Sequence, residues 1–245
     1  MRLSVRRLVV SAAAALGAVA LLPAPATAAN DRDFRTISKN FPAANVQAIR
    51  VDARVGSVRL RSSSASDVSL KLELESRRED GWIFGRRGDV RDVELETETT
   101  GGTLRLTLKG ERKGINESWV LLVPARMAAD VKLEVGDVEA RSLEGGMRVH
   151  VNVGNIDIDV PRGEINAKVN VGDINARTGT DAYDDVALEA NVGEANLRVG
   201  SQRIRSEGKR RYGPGEDVRW TGRGRDRIRM EVNVGDASLV IAKQA

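Results

Sequence analysis

The chain has 245 residues, with 39 Lys and Arg, 35 Asp and Glu, one His and no Cys. The absence of Cys excludes disulfides, thiolate metal sites, Cys nucleophiles and a lipid-modified N-terminal Cys, and a single His excludes a multi-His metal centre. The length allows one domain or two small ones, and a 41% apolar share is enough for a core, although only 3% of residues are aromatic.

At the N-terminus, Arg2, Arg6 and Arg7 precede an uncharged run of apolar and small residues, 8–22. Pro23, Pro25 and an Ala-x-Ala site ending at Ala28 follow, the pattern of a cleaved export signal. The run is short of the ~20 apolar residues that span a bilayer. We therefore expect residues 1–28 to be a signal peptide, 29–45 a lead-in and 46–245 the folded domain, with no transmembrane span in the mature chain. The protein is then exported, to the periplasm, the cell surface or the medium. Residues 1–28 hold three basic and no acidic residues, so the mature chain sets 36 basic against 35 acidic residues. The basic pI is largely a property of the discarded segment and does not argue for nucleic acid.

Residues 46–61, 68–75, 93–99, 104–109 and 119–123 alternate or run apolar, which predicts strands. Between them, residues 77–89 (RREDGWIFGRRGD) place Trp82 and Phe84 beside Arg86 and Arg87 in a Gly-flanked loop. Exposed aromatics with Arg on a loop make a candidate binding site; a loop folded back as an end cap is the alternative. No helix is predicted in the mature chain.

From residue 55 a Val-Gly-polar-aliphatic unit recurs, with glycines at Gly56, Gly136, Gly154, Gly172, Gly193 and Gly235. The steps from Gly136 are 18, 18, 21 and 42 residues, a periodicity that predicts stacked coils. Val precedes the glycine in all six copies, and aliphatic residues stand three before it and two and four after it. A bend at each glycine is expected to bring all these columns into one core, with Gly56 near an end of the stack. Two columns are polar. Asn152, Asn170, Asn191 and Asn233 suit an amide ladder or a wet surface. Asp137, Asn155, Asp173, Glu194 and Asp236 suit capping of corner amides better than a Ca²⁺ site. No metal site or cofactor is expected. A less regular, right-handed, single-stranded parallel β-helix is preferred, with a β-rich N-terminal half; an antiparallel β-sandwich is the alternative.

Residues 201–230 hold ten basic and four acidic residues, including Arg210, Arg211, Tyr212, Trp220, Arg223 and Arg225. This net +6 in an otherwise acidic mature chain is a candidate anion-binding face. It fills most of the 42-residue step, either as one degenerate coil or as an insertion. His150 is expected to point outward without a catalytic role.

The run WVLLVPARMAADVKLEVGDVEARSLEGGMRVHVNVGNIDIDV from Trp119, with its VPAR strand end, LEGG turn and GD[IV]-type corners, resembles the bacterial adhesin-like β-solenoid domains of unknown function. The resemblance covers residues 46–241, with the Trp82 loop and the Arg-rich segment as departures. It implies a parallel β-solenoid and export, and carries over no catalytic residue. The sequence thus predicts an exported, non-enzymatic binding or structural module of the bacterial envelope. Its expected partner is an anionic glycan, lipopolysaccharide or an envelope protein. The alternatives are a polysaccharide-active enzyme, whose two carboxylates must straddle a sugar, and an envelope-stress or assembly accessory protein.

Overall fold

Alternating side chains become strands throughout the chain, and the computed structural model describes residues 33–77, 88–179, 183–205 and 215–242. The strands are β1 (Phe34–Pro42), β2 (Ala48–Ser63), β3 (Asp67–Ser76), β4 (Val93–Thr100), β5 (Thr103–Gly110), β6 (Ile115–Pro124), β7 (Ala128–Arg141), β8 (Met147–Val153), β9 (Ile156–Val160), β10 (Ile165–Val171), β11 (Ile174–Thr178), β12 (Tyr183–Val192), β13 (Ala195–Val199), β14 (Gln202–Ile204), β15 (Glu216–Thr221), β16 (Asp226–Val234) and β17 (Ala237–Ile241). Among the described residues the only helical element is a single 3₁₀ turn, Val90–Asp92, capped by the Asp89 carboxylate.

All seventeen strands belong to one mixed sheet, nearly closed and barrel-like. It has two halves that meet along the line of corner glycines. In the half before the glycines, the register gives the order β4, β5, β2, β7, β8, β10, β16, β12, β15. In the half after them, the order is β1, β3, β6, β2, β7, β9, β11, β17, β13, β14. The long strands β2 and β7 run through the corner and serve both halves. Pairings between repeats are parallel; those of β1, β3, β4, β14 and β15 are antiparallel, and β1, β4, β14 and β15 form the edges.

The 42-residue step is not one degenerate coil: its described strands β14 and β15 pair antiparallel with β13 and β12, as an insertion between repeats, and the repeat that follows does not take its place in sequence order. β16 and β17 lie between β10–β11 and β12–β13. The last repeat therefore occupies the last place but one. Corner bonds run through it without a break: Gly154 N–H donates to Val171 O, Gly172 N–H to Val234 O and Gly235 N–H to Val192 O, each at 2.9 Å.

The core is aliphatic. Residues three before each glycine are buried (Ala53, Leu133, Val151, Val169, Ala190, Val232), as are those two and four after it. The column just before the glycine departs from expectation. Val135, Val153, Val171, Val192 and Val234 are 41–48% exposed, so they stand outside the core. The change of parity is absorbed by turning the whole corner outward, from two before the glycine to one after it. Positive φ makes this possible; Gly172, for example, sits at φ +131°, a region side chains avoid.

The polar columns bind coil to coil. Asn170 Nδ2 donates to Asn152 Oδ1 at 2.7 Å, Asn233 Nδ2 to Asn170 Oδ1 at 2.9 Å and Asn191 Nδ2 to Asn233 Oδ1 at 2.8 Å. The ladder is continuous, but water reaches it. Asn170→Ala, which removes one donor and one acceptor from an accessible ladder, should cost only about 0.5–1 kcal/mol, read as a small fall in melting temperature. At the other column, Asn155 N–H donates to Asp137 Oδ1 (3.0 Å), Asp173 N–H to Asn155 Oδ1 (3.1 Å), Asp236 N–H to Asp173 Oδ1 (2.8 Å) and Glu194 N–H to Asp236 Oδ1 (2.8 Å). Each side chain caps the amide of the next coil rather than its own.

Candidate binding surface

Many basic residues along the stack have an acidic partner. Arg141 Nη1 contacts Asp159 at 3.1 Å, Arg162 contacts Glu144 at 2.7 Å, Lys168 contacts Glu231 at 2.6 Å and Arg105 contacts Asp52 at 2.9 Å. The Arg141 hydrogen bond also holds the Glu139 carboxyl below its ordinary range. The C-terminal end differs. Arg219, Arg223, Arg225, Arg227 and Arg229 are exposed, and among the described residues none of them makes an ion pair.

Two acids in that region accept from backbone amides. Asp226 Oδ2 accepts from Gly163 N–H at 3.1 Å, and Glu216 Oε2 from Ala195 N–H at 3.3 Å. The Glu194 carboxylate meets Asn196 Nδ2 at 3.3 Å rather than an arginine. The arginines are thus left with a charge surplus on one end of the molecule.

Of the residues singled out from sequence, Arg223 and Arg225 lie in the exposed connection from β15 to β16. Trp220 does not offer a free face. It is half-buried against the core, opposite Val186 of β12, and its ring covers Gly222 so closely that a Cβ there would stand 2.6 Å from it. Trp82, Phe84, Arg86, Arg87, Arg210, Arg211 and Tyr212 lie outside the described residues. His150 is half-buried on the outer face, in register between Lys132 and Lys168.

Two shallow grooves open on the outer face of the half before the glycines. One, of about 370 Å³, is lined by Ala48, Ala128, Gly146, Arg50, Asp130, Arg148 and Glu164 among others. The other, of about 460 Å³, is lined by Arg112, Lys132, Glu134 and His150 among others. No group of three or more His, Cys, Asp or Glu that could hold a metal occurs among the described residues. No helix among them is long and apolar enough to cross a membrane.

The residue the sequence analysis missed is Glu117, fully buried on β6. Its Oε2 accepts from Trp119 Nε1 at 3.0 Å and from Arg54 N–H at 3.2 Å, and Arg112 Nη1 reaches its Oε1 at 3.5 Å. Burial pushes the carboxyl above its ordinary range, against the pull of these donors. The signal was present in Ile115-Asn-Glu117-Ser-Trp119, whose alternation places Glu117 on the inward side.

No protein-family model matches the chain, and no curated protein matches it. Among solved structures it is similar to a "putative cell adhesion protein" from Clostridium sporogenes, at 14% identity over 85% of this chain and 99% of that one, with a TM-score of 0.49. It is also similar to "putative adhesin" structures from Bacteroides fragilis (13% identity, 84% and 97% covered, TM-score 0.30) and Parabacteroides distasonis (12%, 84% and 97%, TM-score 0.24). Similarity at this level says nothing about what the chain binds.

Proposed function

We propose that this chain is an exported, non-enzymatic, adhesin-like module of the bacterial envelope, built as a parallel β-solenoid and working by contact between its basic end and an anionic surface or glycan. The observation that supports it is the cluster of five exposed arginines on one end, Arg219 to Arg229, none of which makes an ion pair among the described residues, whereas Arg105, Arg141, Arg162 and Lys168 are paired. Clustered like charge costs stability through self-repulsion, and an anionic partner offsets that cost. Rigid coils suit such a role because they hold the charges at fixed spacing.

The test is retention of the mature protein on a heparin matrix. It should bind in low salt and elute as salt rises, because screening shortens from about 10 Å at 0.1 M to 3 Å at 1 M. Passage without retention at low salt overturns the proposal. Fractionation of cells that express the full chain checks export; a tagged product found only in the cytoplasm, with residues 1–28 still attached, is the contrary result.

A further inference from the structure

The outer face of the half before the glycines carries a row of side chains, one from each strand. Register aligns Arg50 with Asp130, Asp130 with Arg148, Arg148 with Asn166, Asn166 with Arg229, Arg229 with Ala187 and Ala187 with Arg219. From β2 onward arginine therefore stands on every second strand: β2, β8, β16 and β15; on the other side of β2 the row continues into Arg105 of β5, which is paired with Asp52. The intervening strands contribute Asp130, Asn166 and Ala187. With neighbouring strands about 4.8 Å apart, successive arginines are about 9.6 Å apart. No stretch of sequence shows this period; it exists because β16 enters the stack between β10 and β12.

Arg50 is tied to Asp52 at 3.5 Å and Asp130 at 3.7 Å. Arg148, Arg229 and Arg219 are exposed and make no ion pair among the described residues. The groove of about 370 Å³ lies along the first part of the row, from Arg50 to Asn166, and the small residues Ala48, Ala128 and Gly146 in its lining leave room beside Arg50 and Arg148; Glu164 also lines it.

We infer that this arginine row is a binding site for a linear acidic polysaccharide with one carboxylate per disaccharide, laid across the strands. The inference rests on the anion-binding function proposed above and assigns it a place and a ligand class. An extended chain of β-linked sugars advances by about one strand spacing per sugar, so a charge on alternate sugars meets an arginine on alternate strands. Guanidinium groups pair with carboxylates through two parallel hydrogen bonds. Asn166, between Arg148 and Arg229, offers both a donor and an acceptor to the hydroxyls of the neutral sugar. A planar lipid headgroup array or a nucleic acid has no reason to match this period.

The test measures binding of the mature protein to hyaluronan oligosaccharides, which carry a carboxylate on every second sugar. Polygalacturonate, charged on every sugar, and neutral dextran serve as comparisons. Arg148→Ser, Arg229→Ser and Arg219→Ser should each weaken hyaluronan binding about tenfold, the size of one charge-assisted contact. Ala187→Glu, which places a carboxylate between Arg229 and Arg219, should weaken it at least as much without lowering the melting temperature. Arg177→Ser with Arg198→Ser removes two charges from the opposite outer face and should leave binding unchanged. Polygalacturonate should bind no more tightly than hyaluronan despite its higher charge. Retention on heparin with no effect of the row variants overturns the assigned site while the general function stands. So does equal loss from the opposite-face variant, tighter binding of polygalacturonate, or binding to anionic phospholipid vesicles but not to hyaluronan. Failure of the wild type to bind any of these polyanions overturns both.

Discussion

Gly172→Ala should destabilise the protein by about 3 kcal/mol or more, in the range where a domain of this kind ceases to fold cooperatively. A Cβ at Gly172 would lie 2.0 Å from the Gly154 carbonyl oxygen, at a φ of +131°. The obstacle is backbone of the neighbouring coil, so no rotamer change relieves it. The same construction recurs along the stack: Gly136 faces Gly56 O at 1.7 Å, Gly154 faces Gly136 O at 1.9 Å, Gly235 faces Gly172 O at 2.1 Å and Gly193 faces Gly235 O at 2.0 Å. Gly56, expected from sequence to be a tolerant end position, is not spared. The stack continues beyond it into β6, and its Cβ would lie 1.9 Å from Glu117 O. Thermal melts of Gly172→Ala and Gly56→Ala should show comparably large losses. A mild effect at either position would mean that the coils separate locally to admit a methyl group.

Glu117→Ala should cost about 3–5 kcal/mol, because it strands the Trp119 N–H and the Arg54 amide in the interior and removes the counter-charge of Arg112. Glu117→Gln should behave in the opposite sense. An amide oxygen still accepts from Trp119 and Arg54 but carries no charge to desolvate. Burial raises the carboxyl of Glu117 in the folded state, so the native protein holds that proton more tightly than the unfolded chain. Its stability therefore falls as pH rises from the ordinary carboxylate range through the raised value, and the penalty persists above it. The Gln variant lacks this penalty. Its melting temperature should exceed that of the wild type at pH 7–8, and the difference should shrink as pH is lowered through the carboxylate range. A constant difference from pH 4 to 8 would show that the Arg112 contact offsets the burial of the charge.

The strands and corner columns were legible in sequence because each is a local pattern. The alternations at 68–75 and 104–109 became β3 and β5, and the columns three before and two after each glycine entered the core. β1 was missed. Its residues Arg35, Lys39 and Phe41 lie opposite the buried Leu74, Leu70 and Val68, and the half-buried Arg35 and the exposed Lys39 interrupt the apolar alternation on that face. An edge strand tolerates this, and such charges help to keep it from pairing with other chains. The outward valines were misassigned because a corner has no side-chain period of two. The arginine row was illegible for a different reason: Arg148, Arg219 and Arg229 become neighbours only through the order of coils in space.

That order bears on how the molecule can be assembled. A repeat protein whose turns stack in sequence can grow as it is made, each new turn settling on the one before. Here β12–β13 emerges while its proper neighbour does not yet exist. It carries the same Val-Gly corner as the missing turn, so the exposed edge of β10–β11 offers it a decoy berth in a compatible register. Only when β16–β17 has been made can its seat between β10–β11 and β12–β13 be filled. The β16–β17 turn is thus a keystone, set between turns that precede it in the chain. A chain cut after Val199 would lose an interior course of the wall and leave its last turn to choose the wrong neighbour.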